Sequence, residues 1–255
     1  MLSVLIATKN SEDTLERCLK SIEDIADEII IVDSGSTDKT LEIAKKYTDK
    51  IFYKEWINSG MQYNYLLSLA NENWTLILDS DEEVSKELKN SIKKVINSKN
   101  AKDCYAVSRK TYYLGKFLNY VWYPEWRVRL AKKGKLKFEE KVHGKAICYG
   151  ELGKLKGDLY HYSFKDLKHH FEKNIKFATF IAEHMHKNNK KFKVSKLVIN
   201  PTWYFIKYFY IKKGFLDGIR GFIACSMGSF YVFMKYAFLL EIEMKEKYGK
   251  NLWKR

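Results

Sequence analysis

Cysteine is scarce and scattered. Cys18, Cys104, Cys148 and Cys225 form no C-x-x-C pair and no His/Cys cluster at zinc spacing. The sequence therefore predicts neither a disulfide framework nor a zinc site, and a reduced, cytosolic setting. Glycine-rich phosphate loops are missing too: neither G-x-x-x-x-G-K followed by Ser or Thr, nor G-x-G-x-x-G, occurs. This argues against P-loop and dinucleotide-binding enzymes. No basic segment precedes the short apolar stretch at residues 4–7, so a secretory signal is not expected. Long apolar runs are also absent. The longest uncharged stretch of the aromatic C-terminal region, residues 221–234, has 14 residues, against the ~20 of a spanning helix. The expectation is no transmembrane segment, and no repeat or low-complexity tract appears. Acidic residues are sparse in one part only. Residues 1–100 carry 13 Lys+Arg against 18 Asp+Glu, a net of −5, whereas residues 101–255 carry 33 against 13, a net of +20. A polyanionic partner for the second part follows, either nucleic acid or an anionic membrane surface.

What the first part does contain is a regular alternation of apolar runs and helical periodicities. Residues 2–7 read as a strand, 11–22 as a helix, and 28–33 (EIIIVD) as a second strand. Residues 34–38 read as a turn into another helix, with Ser36 or Thr37 as its cap. A short strand at 51–53, a helix at 63–70 and a fourth strand at 74–78 complete the pattern. Such alternation implies an α/β fold: a Rossmann-like, doubly wound, mostly parallel sheet whose loops gather at one edge. The fourth run delivers Asp79-Ser80-Asp81-Glu82-Glu83 to that edge. Two aspartates one residue apart offer hard oxygen ligands to Mg²⁺ or Mn²⁺ and leave positions for a diphosphate. The alternative is a solvated first helical turn, since residues 84–95 look helical.

Beyond residue 102 strand candidates lie at 105–108 and 146–149, and a one-faced helix at 165–186, which Pro201 is expected to separate from the terminal region. The remaining region is rich in Phe, Tyr, Ile and Leu with interspersed Lys207, Lys212, Lys213, Arg220 and Lys235. It reads as a cationic helical hairpin lying in the interface of an anionic leaflet, or as ordinary core packing. The division expected is 1–160 for the α/β domain and 161–255 for a basic, aromatic-rich helical extension.

The segments "SVLIATKN", "TLERCLKSI", "EIIIVDSGSTDKT" and "SGMQYNYLLSLANENWTLILDSDEE", in this order, resemble the family 2 glycosyltransferases, which have the GT-A fold. The stretches "YYLGKFLNYVWYPEWRVRL", "FEEKVHGKA", "LYHYSFKDLKHHFEKNIKFA" and "KKGFLDGIRGFIAC" look like the branch found in lipopolysaccharide core assembly. The resemblance implies an inverting, metal-dependent enzyme. It would move a sugar from a nucleotide-diphosphate donor to a lipid-linked saccharide acceptor, peripherally at the cytoplasmic face of the inner membrane.

At matching positions the resemblance implies Asp81 as a metal ligand and catalytic group, with Asp79 on the metal-bound water or the ribose. Asp33 would contact base or ribose, and Thr8 and Asn10 would line the same edge. Gly60 would let backbone approach the ligand, and Gln62 and Asn64 would supply amide contacts. Arg127 and Arg129, alternating on a strand, would share a face and reach diphosphate or an anionic acceptor. The acceptor's base stays open: the branch leads us to expect an acid after Val-His, but Gly144 stands there, which leaves Glu140, His143 and, further off, Glu125. Rival readings are a nucleic-acid binder using the basic aromatic half, a nucleotidyltransferase, and a transferase fold that only binds. Nucleic acid is not the expected partner, because the basic residues sit beside apolar stretches rather than in binding motifs.

Overall fold

The structure is a computed structural model, and it describes residues 1–141, 144–249 and 251–253. The chain divides into two compact units, one of residues 1–111 and 124–162, the other of residues 112–123 and 163 onward.

The first unit is built on strands whose apolar runs leave no polar face. β1 (Leu2–Thr8) and β4 (Trp74–Asp79) are buried almost throughout, as expected of central parallel strands covered on both sides. β1 pairs in parallel with β2 (Glu28–Asp33) on one side and β4 on the other; β2 pairs in parallel with β3 (Ile51–Tyr53). In register, Ala7 stands beside Asp79 and Thr8 beside Asp33, so the ends of three strands meet at one edge. Between the strands run α1 (Leu15–Lys20), α2 (Thr40–Ala44) and α3 (Ser59–Leu69). The Asn58 side chain accepts from the Met61 N–H, satisfying one of the free donors at the α3 start. Asp38, rather than Ser36 or Thr37, does this for α2, its carboxylate accepting from the Thr40 N–H.

Past β4 the sheet becomes mixed. β5 (Glu82–Val84) is followed by α4 (Lys86–Ile96), capped by Ser85 through the Leu88 N–H. Then come β6 (Cys104–Tyr113), β7 (Lys116–Phe117) and β8 (Glu125–Lys132). A separate hairpin of β9 (Leu136–Phe138) and β10 (Ala146–Cys148) precedes β11 (Leu152–His161). The order is β3-β2-β1-β4-β8-β6-β11-β5, with β8 antiparallel to β4 and to β6. Two apolar clusters flank the sheet. One gathers Val4 of β1 with Leu15 and Leu19 of α1 and Leu88 and Ile92 of α4; the other gathers Leu5, Ile77, Leu66 and Phe138.

Two expectations are corrected. Cys104, opening β6, and Cys148, closing β10, form a disulfide with Cα atoms 6.1 Å apart. They are 44 residues apart in sequence, and only the packing of the hairpin beside β6 brings them together. Pro201 does not mark the boundary between the 165–186 helix and the terminal region: it lies inside a further helix, as described next.

The second unit is helical. α5 (Leu167–Lys187) is capped by Asp166, whose side chain accepts from the His169 N–H. α6 (Val194–Ile206) runs through Pro201, which forgoes one helical hydrogen bond, and passes into a π-helical turn at Lys207–Ile211. A 3₁₀ turn at Gly214–Asp217 leads into α7 (Gly218–Tyr248), which packs on both α5 and α6. The stretch Gly214–Tyr248 is long and apolar enough to cross a membrane by length and composition, with 39% of its most apolar window buried inside the protein. The count of uninterrupted uncharged residues missed this, because the apolar character continues past the isolated Lys235.

Candidate active site

The turn after β4 is shaped by its own acids. Glu82 folds back so that its carboxylate accepts from the Asp79 N–H at 2.9 Å, and Ser80 donates its N–H to the Ala7 carbonyl at 3.2 Å. Asp79 is then held from two sides: the Tyr63 hydroxyl of α3 donates to one oxygen at 2.5 Å, and Arg129 of β8 donates to the other at 2.7 Å. Burial works most strongly against the Asp79 charge, but Arg129, with the Tyr63 hydrogen bond and Arg109, keeps the carboxyl below its ordinary value. Burial raises the neighbouring Glu82, which Arg129 offsets only in part. Tyr63 is pushed up by burial and by Asp79, so it stays a hydrogen-bond donor.

Arg129 belongs to a chain of alternating charges. It pairs with Glu82 at 2.8 Å, Glu82 with Arg109 at 3.4 Å, and Arg109 with Glu125 at 2.7 Å; Glu125 also pairs with Arg127. The expectation that Arg127 and Arg129 jointly reach a diphosphate is corrected by this placement. Tyr105 pairs with Leu130 but Ala106 with Val128, so Arg129 is the extra residue of a β-bulge. Its side chain is 5% exposed and committed to Asp79 and Glu82, whereas that of Arg127 is 52% exposed.

Asp81 takes a different position. Its backbone carbonyl accepts from the Tyr162 N–H at 2.9 Å, and its carboxylate lies 3.4 Å from Nε2 of His161 at the end of β11. The antiparallel β5/β11 pairing, with His161 opposite Glu82, sets this neighbourhood. Sequence reasoning assigned His161 no role; the visible signal was a histidine closing an apolar-basic strand in "LYHYS". A part-exposed carboxylate beside an imidazole is a donor set that fits a divalent cation completing its shell with phosphate oxygens. Among the described residues no group of three or more His, Cys, Asp or Glu forms a self-sufficient cage. A cation placed at Asp81 and His161 would have to complete its shell with ligand oxygens.

A cavity of about 190 Å³ opens beside Asp79, lined by Thr8, Lys9, Ser34, Trp56, Gln62 and Tyr63 among others. Two of its buried polar atoms, Thr8 Oγ1 and Gln62 Oε1, have no hydrogen-bond partner. Leaving such an atom unsatisfied costs about 1–3 kcal/mol.

The other expected site residues serve the frame. Asp33 accepts from the Gly35 and Ser36 N–H groups and from the Ser36 hydroxyl, closing the turn after β2. Asn10, with φ 48°, accepts from the Thr37 N–H and donates its own N–H to Ser36, which joins the two strand-end turns. Asn64 does not offer its amide to a ligand: it donates to the Phe138 carbonyl and accepts from the Phe138 N–H, pinning β9 to α3. Gly60 permits a close approach of protein backbone rather than ligand, since a Cβ there would stand 2.1 Å from the Glu139 carbonyl oxygen. Glu140 is exposed, 3.2 Å from the Asn64 amide. His143 lies outside the described residues.

Parallel strand ends, an acid pair beyond β4 and a mixed extension of the sheet define the GT-A class of glycosyltransferases. The chain belongs to glycosyl transferase family 2, whose family model matches residues 3–150. It is 30% identical to an uncharacterised glycosyltransferase of Rickettsia typhi, over 96% of this chain and 89% of that one. It is 28% identical to the lipopolysaccharide core biosynthesis glycosyltransferase LpsC of Rhizobium meliloti, over 92% and 90%. Among solved structures it resembles S. aureus TarS 1–349 in complex with UDP-GlcNAc, with TM-score 0.50, 17% identity, and coverage of 92% of this chain and 91% of that one. The protein is a glycosyltransferase.

Proposed function

We propose that this enzyme transfers a sugar, with inversion, from a nucleotide-diphosphate donor to a lipid-linked saccharide of the cell envelope, working peripherally at the cytoplasmic face of the membrane. The observation that carries the reading is a cavity with unsatisfied polar atoms that Asp79 lines, together with the Asp81–His161 pair at 3.4 Å two residues further along the chain. A Mg²⁺ or Mn²⁺ ion held by these two side chains would neutralise charge on the diphosphate, and the imidazole favours the transition ion Mn²⁺. Asp79 stays ionised at the cavity wall, oriented by Tyr63 and Arg129. The printed names of relatives support a nucleotide-sugar donor and a glycan acceptor: TarS was crystallised with UDP-GlcNAc, and LpsC is a lipopolysaccharide core enzyme.

For the acceptor's proton, Glu140 is the base we propose. Glu125 is a poorer choice: burial raises it, but Arg109 and Arg127 hold it below its ordinary value, which weakens it as a base. The membrane part of the reading draws on the net charge of +20 in residues 101–255 and on the exposed apolar residues of α6.

A screen of nucleotide sugars by thermal unfolding, with and without Mn²⁺, tests the proposal. The expected result is one donor that raises Tm mainly when Mn²⁺ is present. Asp81→Asn and His161→Ala should each remove the metal-dependent increment and lower turnover by orders of magnitude. Full metal-dependent stabilisation in both variants would refute the site.

A further inference from the structure

The tip that joins α6 to α7 turns its glycines inward and its large apolar side chains outward. A Cβ on Gly214 would stand 2.5 Å from the Tyr208 carbonyl oxygen, and one on Gly221 1.9 Å from the Gly214 carbonyl oxygen. Further along α7, a Cβ on Gly228 would meet the Tyr204 ring at 2.4 Å. The inner seam therefore has no room for side chains at these positions, and the apolar bulk goes outside. Tyr210, Ile211, Phe215, Leu216, Ile219 and Phe222 are 47–67% exposed. Phe209 ties them into one patch, its ring 6.2 Å from that of Phe215 and 5.8 Å from that of Phe222. A helix pair made for water does the reverse and puts its large apolar stripe in the seam. Small residues inside with large apolar ones outside is how helices pack in lipid.

An exposed apolar patch marks either a protein contact or a membrane contact, and here charge decides between them. Residues 184–216 hold eight lysines and no Asp or Glu. Exposed Lys207, Lys212 and Lys213 fall before and within the patch. A second copy of the chain would bring these lysines against their own equivalents, whereas an anionic leaflet offers them phosphates and offers the patch an acyl boundary. We infer that residues 210–222, the tip of the α6/α7 hairpin, are immersed at the acyl boundary of an anionic leaflet without crossing it. The lysine stems run along the apolar surface and leave their ammonium groups at the level of the phosphates. This rests on the peripheral membrane reading above and adds the segment that enters the lipid, where the exposed face of α6 only lies on the surface.

An environment-sensitive fluorophore attached to Leu216→Cys in the full chain tests this. Cys18 and Cys225 are buried and the other two cysteines are bonded to each other, so the label goes to the new thiol. Vesicles of phosphatidylglycerol and phosphatidylcholine with brominated acyl chains should shift the emission to the blue and quench it, while dissolved iodide loses its access to the label. Phe215→Ser with Ile219→Ser, both at exposed positions, should keep its Tm and weaken the quenching by bromine several-fold. Co-sedimentation with these vesicles while the label stays open to iodide and untouched by bromine overturns the immersed tip and leaves the peripheral reading standing. No co-sedimentation with anionic vesicles overturns both. A blue shift that grows with protein concentration in the absence of lipid assigns the patch to a second copy and overturns the immersed tip as well.

Discussion

Arg129 shows how one side chain can organise the acids of a site. A single Nη2 serves both Asp79 and Glu82, two acids that would repel each other without it. Removing one member of a buried pair leaves uncompensated charge and costs about 3–5 kcal/mol. Arg129→Met is therefore expected to destabilise the protein by about that amount in urea unfolding, and a loss below about 1 kcal/mol would mean the acids had found other partners. Much of this site was legible beforehand. Asp79, Asp81, Thr8 and Gln62 fall at strand ends or on the following helix, where local pattern alone places them. His161 and the inward Arg129 were not legible, because one depends on pairing with a strand far back along the chain and the other on a bulge. Neither pairing nor bulge leaves a periodic trace in the sequence.

At the scale of elements, α3 is the hinge between the cavity and the hairpin bearing Glu140. Gly60 and Asn64 hold the two together through Glu139 and Phe138. Gly60→Ala should force the hairpin outward, costing about 1–3 kcal/mol as overpacking does; an unchanged Tm would show that the backbone contact is not tight. α5 supplies a pH-dependent term. His170 is buried, 2.8 Å from the Tyr113 hydroxyl, and burial followed by the nearby Lys173 lowers its pKa from 6.5 to about 4. The unfolded chain then binds more protons between those values, so stability rises with pH through the window and is lost as pH falls from 6.5 to about 4. Calorimetric Tm values across that range should fall on acidification in wild type and less steeply in His170→Phe. Equal slopes would exclude His170 as the source. The parallel half of the sheet was legible as apolar runs alternating with helices, whereas β5 and β8 were obscured by acids and arginines that are paired in the folded unit, and β11 by the exposed Lys154 and Lys156.

For the whole molecule the governing quantity is the uneven charge, −5 over residues 1–100 and +20 over residues 101–255. Composition disclosed that asymmetry, but not which apolar side chains the helices leave outside. α6 presents Val194, Val198, Ile199 and Trp203 at 54–67% exposure, with Lys193 and Lys196 on the same segment. An anionic bilayer surface offers both an apolar boundary and about 1 kcal/mol per nearby Lys or Arg. The full chain is expected to co-sediment with vesicles containing anionic lipid, and far less with neutral ones. Because the Debye length shrinks from about 10 Å at 0.1 M salt to about 3 Å at 1 M, binding should weaken steeply as salt rises, leaving the apolar share. The double variant Val198→Asp, Trp203→Asp changes only exposed positions, so it should keep its Tm and lose that salt-resistant share. If wild type at low salt bound single-stranded RNA as strongly as anionic vesicles, the basic half would be answering phosphate charge alone, and the proposed membrane placement would fail while the sugar-transfer site stood.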